Sequence, residues 1–199
     1  MGRRVWTQSS SWYNCVGIME IFSYTQNNPN IETPRLVLRP LRKSDVLFMQ
    51  EWLVDESIYK YWSKREKVID RTPNLIFAHV ETASKSIHWG IQYEDRVVGE
   101  LWLYLNAVGS IGKIAYRVAP LYQRKGIATE SICAIVDYCF TKSELELLWA
   151  DVFVHNKISI HVLEKSGFHR EKLVQQSKEG SSLFDYYIYS ILNTYQHST

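Results

Sequence analysis

The sequence predicts one domain built from both helices and strands. Three observations carry this. Apolar residues recur at helical spacing in separate stretches, as in Val46, Met49 and Leu53, and again in Ile132, Ile135, Val136, Cys139 and Phe140. Between such stretches lie short alternating or continuous apolar runs, which read as strands. The 199 residues suit one such domain, or one domain plus a tail, and are enough to bury a core. No internal repeat, low-complexity block or linker divides the chain.

The elements follow in order. The polar, turn-rich "NNPNIETP" (27–34) places the start of order after it. "RLVLRPL" (35–41) alternates and reads as a strand. In "KSDVLFMQEWLVD", Ser44 is the expected N-cap of a helix. "ESIYKYWS" (56–63) reads as a short second helix or turn, and "PNLIFAHVETAS" as a third helix with Pro73 in its first turn. "SIHWGIQY" (86–93), the turn "EDR" and "VVGELWLYL" (97–105) make a hairpin signal. "KIAYRVA" (113–119) is another strand, followed by a turn and the helix carrying Ile132 to Phe140. "LLWADVFV" (147–154) is a near-continuous apolar run, as in a buried strand. "NKISIHVLEKSG" is a short helix closed by Gly167 at C′, and "FHREKLVQQ" and "LFDYYIYSIL" are the final strands.

Bulk composition excludes some function classes. Apolar residues at 46% and charged residues at 22% are ordinary for a globular protein. A net charge of +2 argues for no nucleic-acid or membrane partner. No apolar run reaches the roughly 18 residues of a membrane span. The start "MGRRVWTQSSSWYNCVGIMEIF" makes a poor signal peptide. With Met19 inside it, residues 1–18 read as an upstream extension. We therefore expect a poorly ordered segment 1–30 and a domain at 31–195. Cys15, Cys133 and Cys139 form no CxxC and read as free thiols in a reducing compartment, which implies a cytoplasmic protein. The six histidines show no ligand spacing, so no metal is expected.

The turn "YQRKGIATES" (122–131) has the chemistry of an anion site. The first N–H groups of a helix lack intrahelical partners and carry the positive end of the dipole. Gly126 lets a ligand approach the backbone, Ala128 is nearly as small, Arg124 and Lys125 add charge, and Thr129 offers a hydroxyl. The plainer reading is an ordinary helix start with a solvated basic tip. Neither GxGxxG nor GxxxxGK[ST] occurs, which argues against dinucleotide and nucleoside triphosphate sites.

"QRKGIA" (123–128) resembles the Q/R-x-x-G-x-G/A signature of the GNAT N-acetyltransferases, "NKISIHVLEKSGF" (156–168) resembles their second signature, and "TPRLVLRPLRKSD" (33–45) is similar to the opening of the RimJ/RimL-like branch. The resemblance implies an α+β fold, an α/β sandwich. It would hold a mostly antiparallel mixed sheet of about six to seven strands, with a V-shaped split between 113–119 and 147–154, flanked by helices. Acetyl-coenzyme A would lie in the split as co-substrate. Its pyrophosphate would meet Gln123, Arg124, Lys125, Gly126, Ile127, Ala128 and Thr129. Its pantetheine would meet Tyr116, Arg117 and Val118, and its thiol end Asn156 with Ser159 nearby.

The implied chemistry is attack by an amine on a thioester, which needs a proton acceptor and an oxyanion donor. The resemblance gives the donor role to the Val118 N–H. Many members carry a tyrosine acid seven residues after the motif Asn; here that position is Leu163, and Lys113 stands where an acidic residue is common. Glu100 is the first candidate base and Asp185 the second, with Tyr116 and His161 weaker. Alternation leaves open that Glu100 only faces solvent. Trp62, Trp89, Trp102 and Tyr104 are candidates for the acceptor pocket, or equally for the core. The expected acceptor is a protein or peptide N-terminal amine. Alternatives are a small polyamine or aminoglycoside, a non-catalytic acyl-coenzyme A sensor, and a nucleotide-binding regulator. The protein is expected to be a monomer or a homodimer.

Overall fold

A computed structural model of the chain describes residues 28–62, 86–175 and 185–194. The helix expected from "PNLIFAHVETAS" lies outside the described residues. Eight strands run β1 (Ile31–Glu32), β2 (Leu36–Arg39), β3 (Ile87–Tyr93), β4 (Arg96–Leu105), β5 (Ile111–Val118), β6 (Leu147–Phe153), β7 (His169–Val174) and β8 (Tyr186–Leu192). Three α-helices are α1 (Val46–Leu53), α2 (Ile127–Lys142) and α3 (Lys157–Lys165). The strands form one sheet in the order β1-β2-β3-β4-β5-β6-β8-β7. Every pairing is antiparallel except β5 with β6. The eighth strand, beyond the six or seven expected, is the two-residue β1. The residues ahead of β1 bond to the sheet: Asn28 Nδ2 donates to the His88 carbonyl at 2.8 Å, and the Pro29 carbonyl accepts from Trp89 Nε1 at 3.1 Å.

The two sheet faces carry separate cores. On one, Leu36, Leu38, Trp89, Leu101, Ile114, Leu148 and Val152 pack against Ile127, Ile132, Ile135 and Cys139 of α2 and Leu163 of α3. Each aliphatic side chain so buried contributes about 1.5–3 kcal/mol. On the other, Val46, Met49, Trp52 and Leu53 of α1 and Ile58 and Tyr59 of a 3-10 turn (Glu56–Tyr59) cover Val97 and Ala119. The apolar stripe of α1 is therefore as expected, but its cap is not. Ser44 is exposed within a 3-10 turn (Lys43–Asp45), and the buried Asp45 directly precedes the helix. Asp45 accepts two hydrogen bonds at 2.8 Å from the Arg39 guanidinium and one at 2.6 Å from the Arg42 N–H. These bonds turn the Asp45 carboxylate back onto the preceding strand and turn, and no side chain caps α1.

Candidate active site

The site begins where β5 and β6 part. Their parallel pairing covers only Ile111 to Lys113 against Leu147 to Trp149, while β5 runs on to Val118 and β6 to Phe153. Beyond Lys113 the sheet is split. On its other side β5 stays paired with β4, and the Ala119 N–H donates to the Val98 carbonyl at 2.8 Å. Antiparallel pairs alternate between bonded and non-bonded. The pairs 98/119 and 100/117 are thus bonded, and the amides of Val118 and Tyr116 face the split. The resemblance implied the Val118 N–H as oxyanion donor; the register turns the Tyr116 N–H the same way. The Val118 carbonyl accepts from Gln123 Nε2 at 3.0 Å.

The open end of the split leads to the turn before α2. Gly126 sits at φ +80 and Arg124 at φ +61, both left-handed, and no side chain caps the helix. Glycine adopts such a φ without the steric cost other residues meet. Ile127 is buried in the core and anchors the first turn, so its backbone N–H, not its side chain, is what it offers a ligand. Arg124, Lys125 and Gly126 are exposed, and Ala128 and Thr129 are half-buried. Acidic Glu130, one turn in, is held by Arg35, whose Nε donates to it at 2.7 Å, and by the Thr33 hydroxyl at 2.6 Å. This grip involves the motif "TPR", whose task was not legible from sequence.

Across the split, Asn156 is the N-cap of α3, its side-chain oxygen accepting from the Ser159 N–H at 3.2 Å. The Ser159 carbonyl accepts from the Tyr116 hydroxyl at 3.4 Å. Burial drives the Tyr116 pKa up to about 12, so the phenol stays neutral and a donor. Asp185 lies just before β8, its carbonyl accepting from the Val154 N–H at 3.0 Å. Tyr61 bridges from beyond the 3-10 turn to the end of β6, its hydroxyl donating to the His155 carbonyl at 3.1 Å.

The α1 side of the sheet corrects two expectations. Glu100 is 1% exposed and bonds the Arg117 guanidinium, with Nε at 2.5 Å, while His88 Nε2 lies 3.0 Å from its other oxygen. Burial alone would raise its pKa. The charge of Arg117, the nearby His88 ring and the bond from Arg117 win, and hold the carboxyl at about 2. A group so acidic is a poor proton acceptor, so Glu100 is a structural anion rather than the base. Arg117 is not a pantetheine contact either: its backbone is paired to β4, and its side chain points to the face opposite Tyr116 and Val118. There the guanidinium carbon lies 5.2–5.9 Å from the ring centroids of Trp102, Trp62, Trp52 and Tyr59. Two of the four aromatic candidates for the acceptor pocket, Trp62 and Trp102, thus stand against the chain's own cation.

For Trp89 the core alternative holds. It is fully buried in the core under α2, on the face opposite Trp102, because neighbouring strand positions alternate. Of the four aromatic candidates, Trp62 and Trp102 meet edge to face at 5.5 Å, Trp102 stacks on His88 at 4.6 Å, and Tyr104 is 38% exposed further along the same face. His161 is exposed on α3, and Leu163, in the slot of the missing tyrosine, is buried. Lys113 pairs at 2.6 Å with Asp151 of β6, which sequence reasoning overlooked because it sits inside an apolar run. Among the described residues, no three His, Cys, Asp or Glu side chains converge as metal ligands would, and no helix is long and apolar enough to cross a membrane.

A split sheet whose strand amides face an uncapped helix start can hold an extended ligand with an anionic group. Comparison with known proteins agrees. The family described as acetyltransferase (GNAT) domain matches residues 35–169, and the chain belongs to it. The uncharacterized N-acetyltransferase YoaA of Bacillus subtilis is 28% identical over 171 residues, 82% of this chain and 97% of its own. The spermidine N(1)-acetyltransferase of Escherichia coli is 26% identical, over 76% and 77% of the two chains. Among solved structures, a GNAT-family acetyltransferase from Bacillus anthracis superposes with TM-score 0.73 at 25% identity, covering 83% of this chain and 99% of that one. RimL, a ribosomal L7/L12 alpha-N-protein acetyltransferase seen with coenzyme A, superposes with TM-score 0.71 at 15% identity, over 82% and 98%, which shows a shared fold.

Proposed function

We propose that this protein transfers the acetyl group of acetyl-coenzyme A to the N-terminal amine of a protein or peptide. The diphosphate is gripped by the amides of 126–129, with Arg124 and Lys125 adding charge at the tip of the turn. The acetyl end lies along β5, where the Tyr116 and Val118 amides take the negative charge that develops on the carbonyl oxygen. The amine enters at the open end of the split. As the C–N bond forms and the C–S bond breaks, the ammonium proton passes to Asp185, directly or through water, and the thiolate leaves.

The observation that carries the acceptor reading is the state of two carboxylates on the α1 side, Glu100 and Asp151. Glu100 belongs to Arg117 and His88, and Asp151 to Lys113. Neither is available to attract a polycation. A site without a strong base also suits an amine that needs little help. At pH 7.5 about a quarter of an α-amine with pKa near 8 is neutral, against about one in a thousand of an alkyl amine near 10.4. The second reading, a polyamine acceptor, has its support in the 26% identity to spermidine acetyltransferase.

Thiol release from acetyl-coenzyme A, measured with a peptide panel, spermidine and an aminoglycoside at pH 7.5, decides between them. A peptide with a free N-terminus is expected to react, and its N-acetylated form not to. Faster turnover of spermidine would replace this reading with the second. Coenzyme A binding with no release on any amine would mean a sensor.

A further inference from the structure

The opening motif "TPR" has no place in the chemistry above, yet its side chains end at the ligand-gripping turn. Arg35 uses its whole fork there. Its Nε and Nη2 meet Glu130 Oε2 at 2.7 and 2.6 Å, and its Nη1 donates to the Lys125 carbonyl at 3.0 Å. Its own N–H adds a bond to Glu130 Oε1 at 3.1 Å.

The Lys125 carbonyl belongs to the same planar peptide unit as the Gly126 N–H. In a trans peptide the two point in opposite directions. A carbonyl held toward Arg35 therefore turns the Gly126 N–H away from Arg35. This peptide needs holding, because the residues on either side of Lys125, Arg124 and Gly126, are both left-handed and leave it no helical partner. The same guanidinium cancels Glu130, a carboxylate that would otherwise repel a diphosphate one turn away.

From this geometry we infer that Arg35 is a positioning residue for the diphosphate: it aims the Gly126 amide at the ligand through the Lys125 carbonyl and neutralises Glu130 behind it. A fork is required, since one point charge cannot bond the carbonyl and the carboxylate in these directions together. The inference rests on the reading of 124–129 as the diphosphate site.

The test compares two acetyl donors, acetyl-coenzyme A and acetyl-pantetheine, which lacks the diphosphate. For Arg35→Met, kcat/KM with acetyl-coenzyme A should fall about tenfold or more, as for a lost charge-assisted hydrogen bond, through KM and not kcat. With acetyl-pantetheine the variant should match the unsubstituted protein. Arg35→Lys should retain most of the loss. An equal loss on both donors would make Arg35 merely structural, and wild-type behaviour of Arg35→Lys would reduce its role to charge; either overturns the inference. If the unsubstituted protein itself uses the two donors equally well, the site assignment has failed instead.

Discussion

Two cationic regions stand at opposite ends of the same short piece of chain and behave in opposite ways. Arg117, at the end of β5, is 9% exposed, ion-paired with Glu100 and ringed by four aromatic side chains. Arg124 and Lys125 are exposed, on a turn whose helix has no side-chain cap. The first region satisfies every charge internally. The second keeps its cationic heads at the surface, Lys125 lying 4.9 Å from the Tyr122 ring centroid, and leaves its helix-start amides for something else. A buried charge must be answered by the fold, because its desolvation is expensive. A helix start at the surface need not be, because water or a ligand answers it. What separates scaffold from site here is who satisfies the charge.

The largest effect expected from breaking this contrast is at Arg117. Arg117→Met leaves the Glu100 carboxylate buried with only His88, which should cost about 3–5 kcal/mol, read as a lower urea midpoint. Arg117→Met combined with Glu100→Gln should recover most of it, since no lone charge remains. An unchanged midpoint in the single variant would erase the contrast. The pH dependence sharpens the same point. Glu100 is depressed from its ordinary 4.5 to about 2. Its contribution is therefore full above 4.5 and lost as pH falls through about 2. Stability in that acid window should fall in the unsubstituted protein and fall less steeply in Glu100→Gln.

The next effect is at Gly126. Gly126→Asp puts a carboxylate into the anion site and a Cβ at φ +80. The conformation alone costs about 1–2 kcal/mol of stability. Coenzyme A affinity, measured by calorimetry, should fall about 30-fold or more, as for a charge left opposed in place of its bonds. Gly126→Ala carries the conformational strain without the carboxylate, and should keep more of the affinity. Equal coenzyme A binding by Gly126→Asp and the unsubstituted protein would move the ligand elsewhere.

These regions were not equally legible in the sequence. The turn announced itself, because its signals are local: a glycine, two basic residues, then the apolar period of α2. Gly167 was legible for the same reason and sits at φ +86 after α3. The Arg117 cluster was not. It depends on the register that sets Arg117 opposite Glu100, and His88 opposite Trp102, across strands. Nor could alternation sort the faces, because β4 is buried on both sides from Val97 to Leu103. Without a wet face, Glu100 and Trp102 could not be told from core positions, and Trp89 could not be told from Trp102.

Asn156 straddles the contrast and offers the smallest test. It caps α3, which makes it scaffold, and the family resemblance makes it a cofactor contact, which makes it site. Asn156→Ala should cost about 1 kcal/mol of stability through the lost cap. Asn156→Asp keeps a side-chain oxygen for the Ser159 N–H and adds a charge that the helix dipole favours, so its melting temperature should be unchanged or slightly raised. What it loses is the amide's NH₂. If that group faces the split, KM for acetyl-coenzyme A should rise about three- to tenfold in Asn156→Asp, the worth of one net hydrogen bond, with kcat kept. A KM that stays put while Asn156→Ala loses stability would assign Asn156 wholly to the scaffold, because its one demonstrated partner would then be the chain itself.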